Sequence, residues 1–151
     1  MDQKNQTKLN LLKLKEELTN LKWSENHKYD DFNHISSAKA LELLEDSEYF
    51  YKDTKTLDLW DTHYEVIDEF AFHSKGIEKV ILPKRIVVIA KYSFANNMIK
   101  ELDLTNYKNL EVIEDYSFFY NRITNFQNAP NILLFTKKAL HKNPVTEQFK
   151  N

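Results

Sequence analysis

The sequence predicts an α+β repeat solenoid of about four to five units behind an N-terminal helical cap, and three observations predict it. One six-residue phrase recurs as Ile67 to Phe72 (IDEFAF), Ile89 to Phe94 (IAKYSF), Ile113 to Phe118 (IEDYSF) and Phe135 to Leu140 (FTKKAL), with starts 22, 24 and 22 residues apart. Two further apolar columns keep the same register: Ile77, Ile99, Ile123 and Val145 ten residues after each start, and Tyr64, Ile86, Leu110 and Ile132 three residues before it. These columns are too sparse for one unit to bury alone, so the units must stack and share a continuous core.

Taken in order, residues 7–23 form the first element. Leu11, Leu14, Leu18 and Leu21 are spaced 3, 4 and 3 apart with Lys and Glu between them, which reads as an amphipathic helix. Laid across the open end of the solenoid it caps the core; self-association through those four leucines is the alternative use of the stripe. Residues 24–35 read as a polar connection. Its His27, Asp30, Asp31 and His34 match no metal-ligand spacing, so no metal is expected there. Ser36 or Ser37 then caps a helix from Ala38 to about Glu45, with Ala40, Leu41 and Leu44 on one face.

The cap is assigned to 1–46 and the repeat array to 47–151. A degenerate unit leads the array, in which Leu57 and Leu59 align with Leu102 and Leu104, and Tyr49 and Phe50 sit at the Phe94 position. Terminal repeats are irregular because one side faces a cap or water. Phe72, Phe94 and Phe118 are read as core. With 1 Gly and 3 Pro in 151 residues, turns fall to Asn, Asp and Lys. Asn tolerates left-handed backbone, and Asn96, Asn97, Asn121 and Asn143 follow their Phe or Leu anchors. At the far end Pro144 and a polar tail close the array.

Composition narrows the function. A net charge of −2 supplies no basic field for a polyanion, so direct nucleic-acid binding is not expected. The absence of Cys excludes disulfides and thiolate metal sites. With Met1 as the start, neither a secretory pattern nor a membrane-spanning run is present, and a cytoplasmic location is expected. The five His are dispersed, and no phosphate-binding Gly-rich loop, HExxH or GxSxG occurs, so neither an enzyme nor a cofactor is expected.

From Ile89 to Leu104 the chain carries Ile-x-x-x-Ser-Phe-x-Asn-Asn-x-Ile-x-x-Leu-x-Leu, a pattern that resembles the BspA-type leucine-rich repeats. The resemblance implies a short strand per unit, a turn, an irregular or short helical return, and a role in binding other proteins. Surface adhesion is what longer members of that family imply.

Strand alternation in the repeat separates two sets of side chains. Ile77, Val80, Leu82, Ile99, Leu102, Leu104, Ile123 and Phe126 face inward. Thr56, Asp58 and Trp60, then Lys79, Ile81 and Pro83, then Glu101, Asp103 and Thr105, then Asn125 and Gln127 face outward, forming one patch if the strands are adjacent. That patch is the expected partner-binding face, with Trp60 and Ile81 as apolar anchors and Asp58, Glu101 and Asp103 selecting a basic partner. The reading is a protein-protein interaction module, an adaptor or inhibitor that occupies its partner's surface. The Lys-, Asn- and Ile-rich composition points to a bacterial or phage source, where the alternative role is inhibition of a host nucleic-acid-binding or defence protein.

Overall fold

A computed structural model describes residues 10–13 and 28–149 of the chain. By backbone proximity the chain divides into two compact units, 1–31 and 32–151. In the first, residues 10–13 are helical and Leu11 is exposed. Leu14, Leu18 and Leu21 of the leucine stripe, and His27, lie outside the described residues.

The second unit is a small solenoid. Its chain order is β1 (His34–Ile35), α1 (Ser37–Glu45), β2 (Phe50–Tyr51), β3 (Thr56–Asp58), β4 (Val66–Ile67), β5 (Lys79–Ile81), β6 (Val88–Ile89), β7 (Glu101–Asp103), β8 (Val112–Ile113) and β9 (Asn125–Gln127). Two 3-10 turns follow, Lys137–Leu140 and Pro144–Phe149. Each coil therefore carries two short strands where one was expected. The second ladder is built mainly by a Val-Ile pair at each of the first three repeat starts, β-branched residues that suit extended backbone. Strands β1, β4, β6 and β8 pair in parallel, with Val66 opposite Val88 and Val88 opposite Val112, and a bridge from Val112 to Leu134 continues the ladder. Strand β1 lies in the stretch read as a polar connection: His34 pairs with Val66 and Ile35 with Ile67, and Ile35 is fully buried.

The helix is capped as its sequence requires. Ser36 Oγ accepts from the Lys39 N–H at 3.1 Å. Its inner face is Ala40 and Leu43, with Leu44 partly buried and Leu41 53% exposed, so Leu41 does not belong to that face. Past Asp46 the chain makes a hairpin in which Phe50 pairs antiparallel with Leu57, and Phe50 is therefore an edge strand residue and not a member of the Phe column.

The core follows the repeat columns. Ile67, Ile89, Ile77, Ile99, Leu82 and Leu104 are fully buried. Phe72, Phe94 and Phe118 stack face to face, with ring centroids 5.2 and 5.4 Å apart and planes within 9°. A third strip of inter-coil hydrogen bonds accompanies them: Phe70, Phe72 and Ser74 donate to the Lys91, Ser93 and Ala95 carbonyls.

The Asn residues act differently from the turn role assigned to them. Asn96 alone among those four is left-handed, with φ 57°. Asn97, Asn121 and Asn143 are buried and form a ladder. Asn97 Oδ1 accepts from the Ile77 N–H at 3.1 Å, Asn121 Oδ1 from Ile99 at 3.0 Å and Asn143 Oδ1 from Ile123 at 3.0 Å. Their side-chain N–H groups donate to the carbonyls of Phe72, Phe94 and Phe118 in the preceding coils. Each Asn thus satisfies backbone groups that the turns leave unpaired inside the core.

A candidate partner-binding face

Alternation along β3, β5, β7 and β9 places the expected residues on the solvent side. Leu57 and Leu102 are buried, and Val80 and Phe126 pack against the core. Between them Lys79, Glu101, Asp103, Asn125 and Gln127 are exposed, Thr56, Asp58 and Ile81 are half-buried, and Trp60 is 37% exposed. Pro83 is buried and leaves the set.

The strands are not one continuous ladder. Thr56 lies opposite Lys79 and Asp58 opposite Ile81 in one sheet, while Glu101 lies opposite Asn125 and Asp103 opposite Gln127 in another. The break falls between β5 and β7 and has a specific cause. In the intact ladders Leu59 N–H donates to the Ile81 carbonyl and Leu104 N–H to that of Gln127. At the equivalent step Leu82 N–H instead meets the Tyr107 hydroxyl at 2.9 Å. A side chain has taken the place of a backbone acceptor, so the outward patch consists of two halves.

Trp60 spans the break. Its ring meets Tyr107 edge to face at 5.9 Å, and its backbone N–H donates to Asp58 Oδ1 at 3.1 Å. Tyr107 is buried, and burial is the first cause that raises its phenol pKa above the ordinary value; nearby Asp58 and Asp103 raise it further against the Leu82 hydrogen bond. Sequence reading missed Tyr107 because it lies outside the repeated phrase, and the residue in register in the next coil is Ala129. Asp58 and Asp103 are not adjacent, since Ile81 occupies the intervening strand. Asp103 is held ionised below the usual carboxylate range, first by the Thr105 hydroxyl at 2.6 Å and then by the Thr105 N–H. The face therefore offers one braced aromatic ring, one half-buried Ile and an acidic strand, Glu101 to Asp103, on a backbone that backbone and side-chain hydrogen bonds hold in place.

A polar cleft of about 720 Å³ lies elsewhere, beside α1, lined by residues that include His34, Lys39, Glu42, Asp61 and His63. Its charged groups are engaged with one another or with the fold: Lys39 Nζ meets Glu42 at 2.7 Å, and His34 Nδ1 lies 2.6 Å from Asp68 Oδ1. No group of three or more His, Asp or Glu among the described residues is placed to hold a metal ion, and no helix among them is long and apolar enough to cross a membrane.

The family profile described as BspA type Leucine rich repeat region matches residues 42–147, in six copies. No curated protein and no solved structure matches the chain.

Proposed function

The chain belongs to the BspA-type leucine-rich repeat family, and from that premise we propose that it is a protein-protein interaction module that works by occupying a partner's surface. The reading assigns it no reaction and no cofactor. Its contact face is the outward side of β3, β5, β7 and β9. The observation that carries this is Trp60, 37% exposed with its ring braced edge to face by Tyr107, at the junction of the two half-patches. A large ring fixed in place loses little entropy on binding, and Trp is among the residues that dominate interface energies. Glu101 and Asp103 on the second half-patch favour a basic partner. Adaptor and inhibitor are the two modes open to such a module, and an inhibitor of a nucleic-acid-binding protein would present these carboxylates to its basic site.

The test is affinity purification with the wild-type chain beside Trp60→Ala/Asp103→Lys, the retained proteins being identified by mass spectrometry. A partner held by the wild type and lost by an equally folded variant is the expected outcome. Equal retention by both would remove this face from consideration.

A further inference from the structure

A second surface differs in chemistry from the sheet face. The variable position three residues into the repeated phrase is Phe70, Tyr92, Tyr116 and Lys138 in successive coils. Phe70 and Tyr92 stack at 5.0 Å and 7°, and Tyr92 and Tyr116 at 5.4 Å and 14°. Phe119 meets both tyrosines edge on, and the His141 ring stacks on Phe119 at 5.8 Å. The result is a rigid aromatic strip in which Phe70 is 49% exposed and Tyr120 58% exposed.

The backbone makes this strip at a cost. Phe70, Tyr92, Tyr116 and Tyr120 have φ between 57° and 66°, a region that bulky side chains rarely enter. Folding alone would be served better by Gly or Asn at those turns. The fourth coil places two lysines in the same columns: Lys138 follows Tyr116 and Lys142 follows Tyr120, with the His141 ring following Phe119. Of the carboxylates in the repeated phrases, Asp115 accepts from the Thr136 hydroxyl at 2.6 Å and Glu114 from the Lys91 N–H at 3.3 Å, while Glu69 is exposed beside Phe70, at the other end of the strip from Lys138 and Lys142. Among the described residues neither Lys138 nor Lys142 pairs with a carboxylate.

We propose that this strip docks an acidic peptide segment of a partner protein, one carrying an aromatic or aliphatic side chain among its carboxylates. Charge complementarity with Lys138 and Lys142 supplies the sign. Ring geometry supplies the class. Four of the six faces of Phe70, Tyr92 and Tyr116 are spent on one another, so the strip offers successive bases no run of free faces to stack on. What remains open is ring edges, which carry positive potential, together with tyrosine hydroxyls that donate to carboxylates. The docking surface is separate from the sheet face of the proposed function, and its lysines Lys138 and Lys142 lie in the fourth coil.

Binding of a copolymer of glutamate and tyrosine to the full chain, followed by fluorescence anisotropy, tests the idea. Phe70→Asn/Tyr120→Asn removes the two open rings while keeping a residue that tolerates the left-handed turn, and should weaken binding at least about tenfold with an unchanged melt. Lys138→Glu/Lys142→Glu should weaken it comparably and flatten its salt dependence. Trp60→Ala/Asp103→Lys should leave it intact, which separates this site from the sheet face. No binding, or equal binding by all variants, overturns the proposal. So does an oligothymidylate that binds and is lost with the same ring variants, or a wild-type dimer in sedimentation that those variants dissociate.

Discussion

Asn121 and Ser117 lie four residues apart in one coil and are both buried, yet they predict opposite mutational outcomes. Asn121 accepts from the Ile99 N–H and donates to the Phe94 and Phe118 carbonyls. Asn121→Ala strands those groups in the core, at about 1–3 kcal/mol for each left without a partner. For a chain of this size each kcal/mol lowers the melting temperature by roughly 2–4 °C, so a scan should record a clear loss. Ser117 Oγ has no partner among the described residues, and Ala139 fills the same column in the next coil. Ser117→Ala should therefore melt at the same temperature or higher. Tyr107→Phe should cost stability by leaving the Leu82 N–H unpaired, and it also has a pH signature. The folded state raises the phenol pKa above 10.0, so it holds the proton more tightly than the unfolded chain does. That contribution is complete below the unfolded value and is lost as pH rises through the folded one. The alkaline fall in melting temperature should be shallower in Tyr107→Phe than in the wild type.

Among the elements, the Phe stack carries the largest single prediction. Phe94 is fully buried between Phe72 and Phe118 and contacts both coils. Phe94→Ala should cost about 3–5 kcal/mol, measured by denaturant titration, and an unchanged midpoint would mean that the columns do not share a core. The Phe, Ile and Leu columns were legible in the sequence because burial demands an apolar residue at the same step of every coil. The Val-Ile strands were not, since a two-residue strand is too short to show alternation. Strand β1 hid for a related reason: His34 and Ile35 gain extended structure only by pairing with Val66 and Ile67, which lie 32 residues away. In α1 the 3.6-residue period allowed either Leu41 or Leu43 to face inward, and packing against the first coils selected Leu43.

At the scale of the molecule, each coil packs on the next, and Val145, in the turn Pro144–Phe149, continues the stack past Ile123. Val145 is buried and donates its N–H to the Ile123 carbonyl. Deleting residues 133–151 would uncover Phe118 and Ile123, and the shortened chain should aggregate or lose its sharp melt, as uncapped repeat arrays do. The sequence by itself determined the solenoid, its period and its apolar columns, because these depend only on spacing along the chain. Tertiary structure decided the rest. It turned Asn97, Asn121 and Asn143 from turn formers into an internal ladder, cut the outward face in two by placing the Tyr107 hydroxyl against the Leu82 N–H, and aligned Phe70, Tyr92 and Tyr116 into one strip. Each of these depends on which polar or aromatic group of one coil meets which group of its neighbour, and that pairing is set when the coils stack.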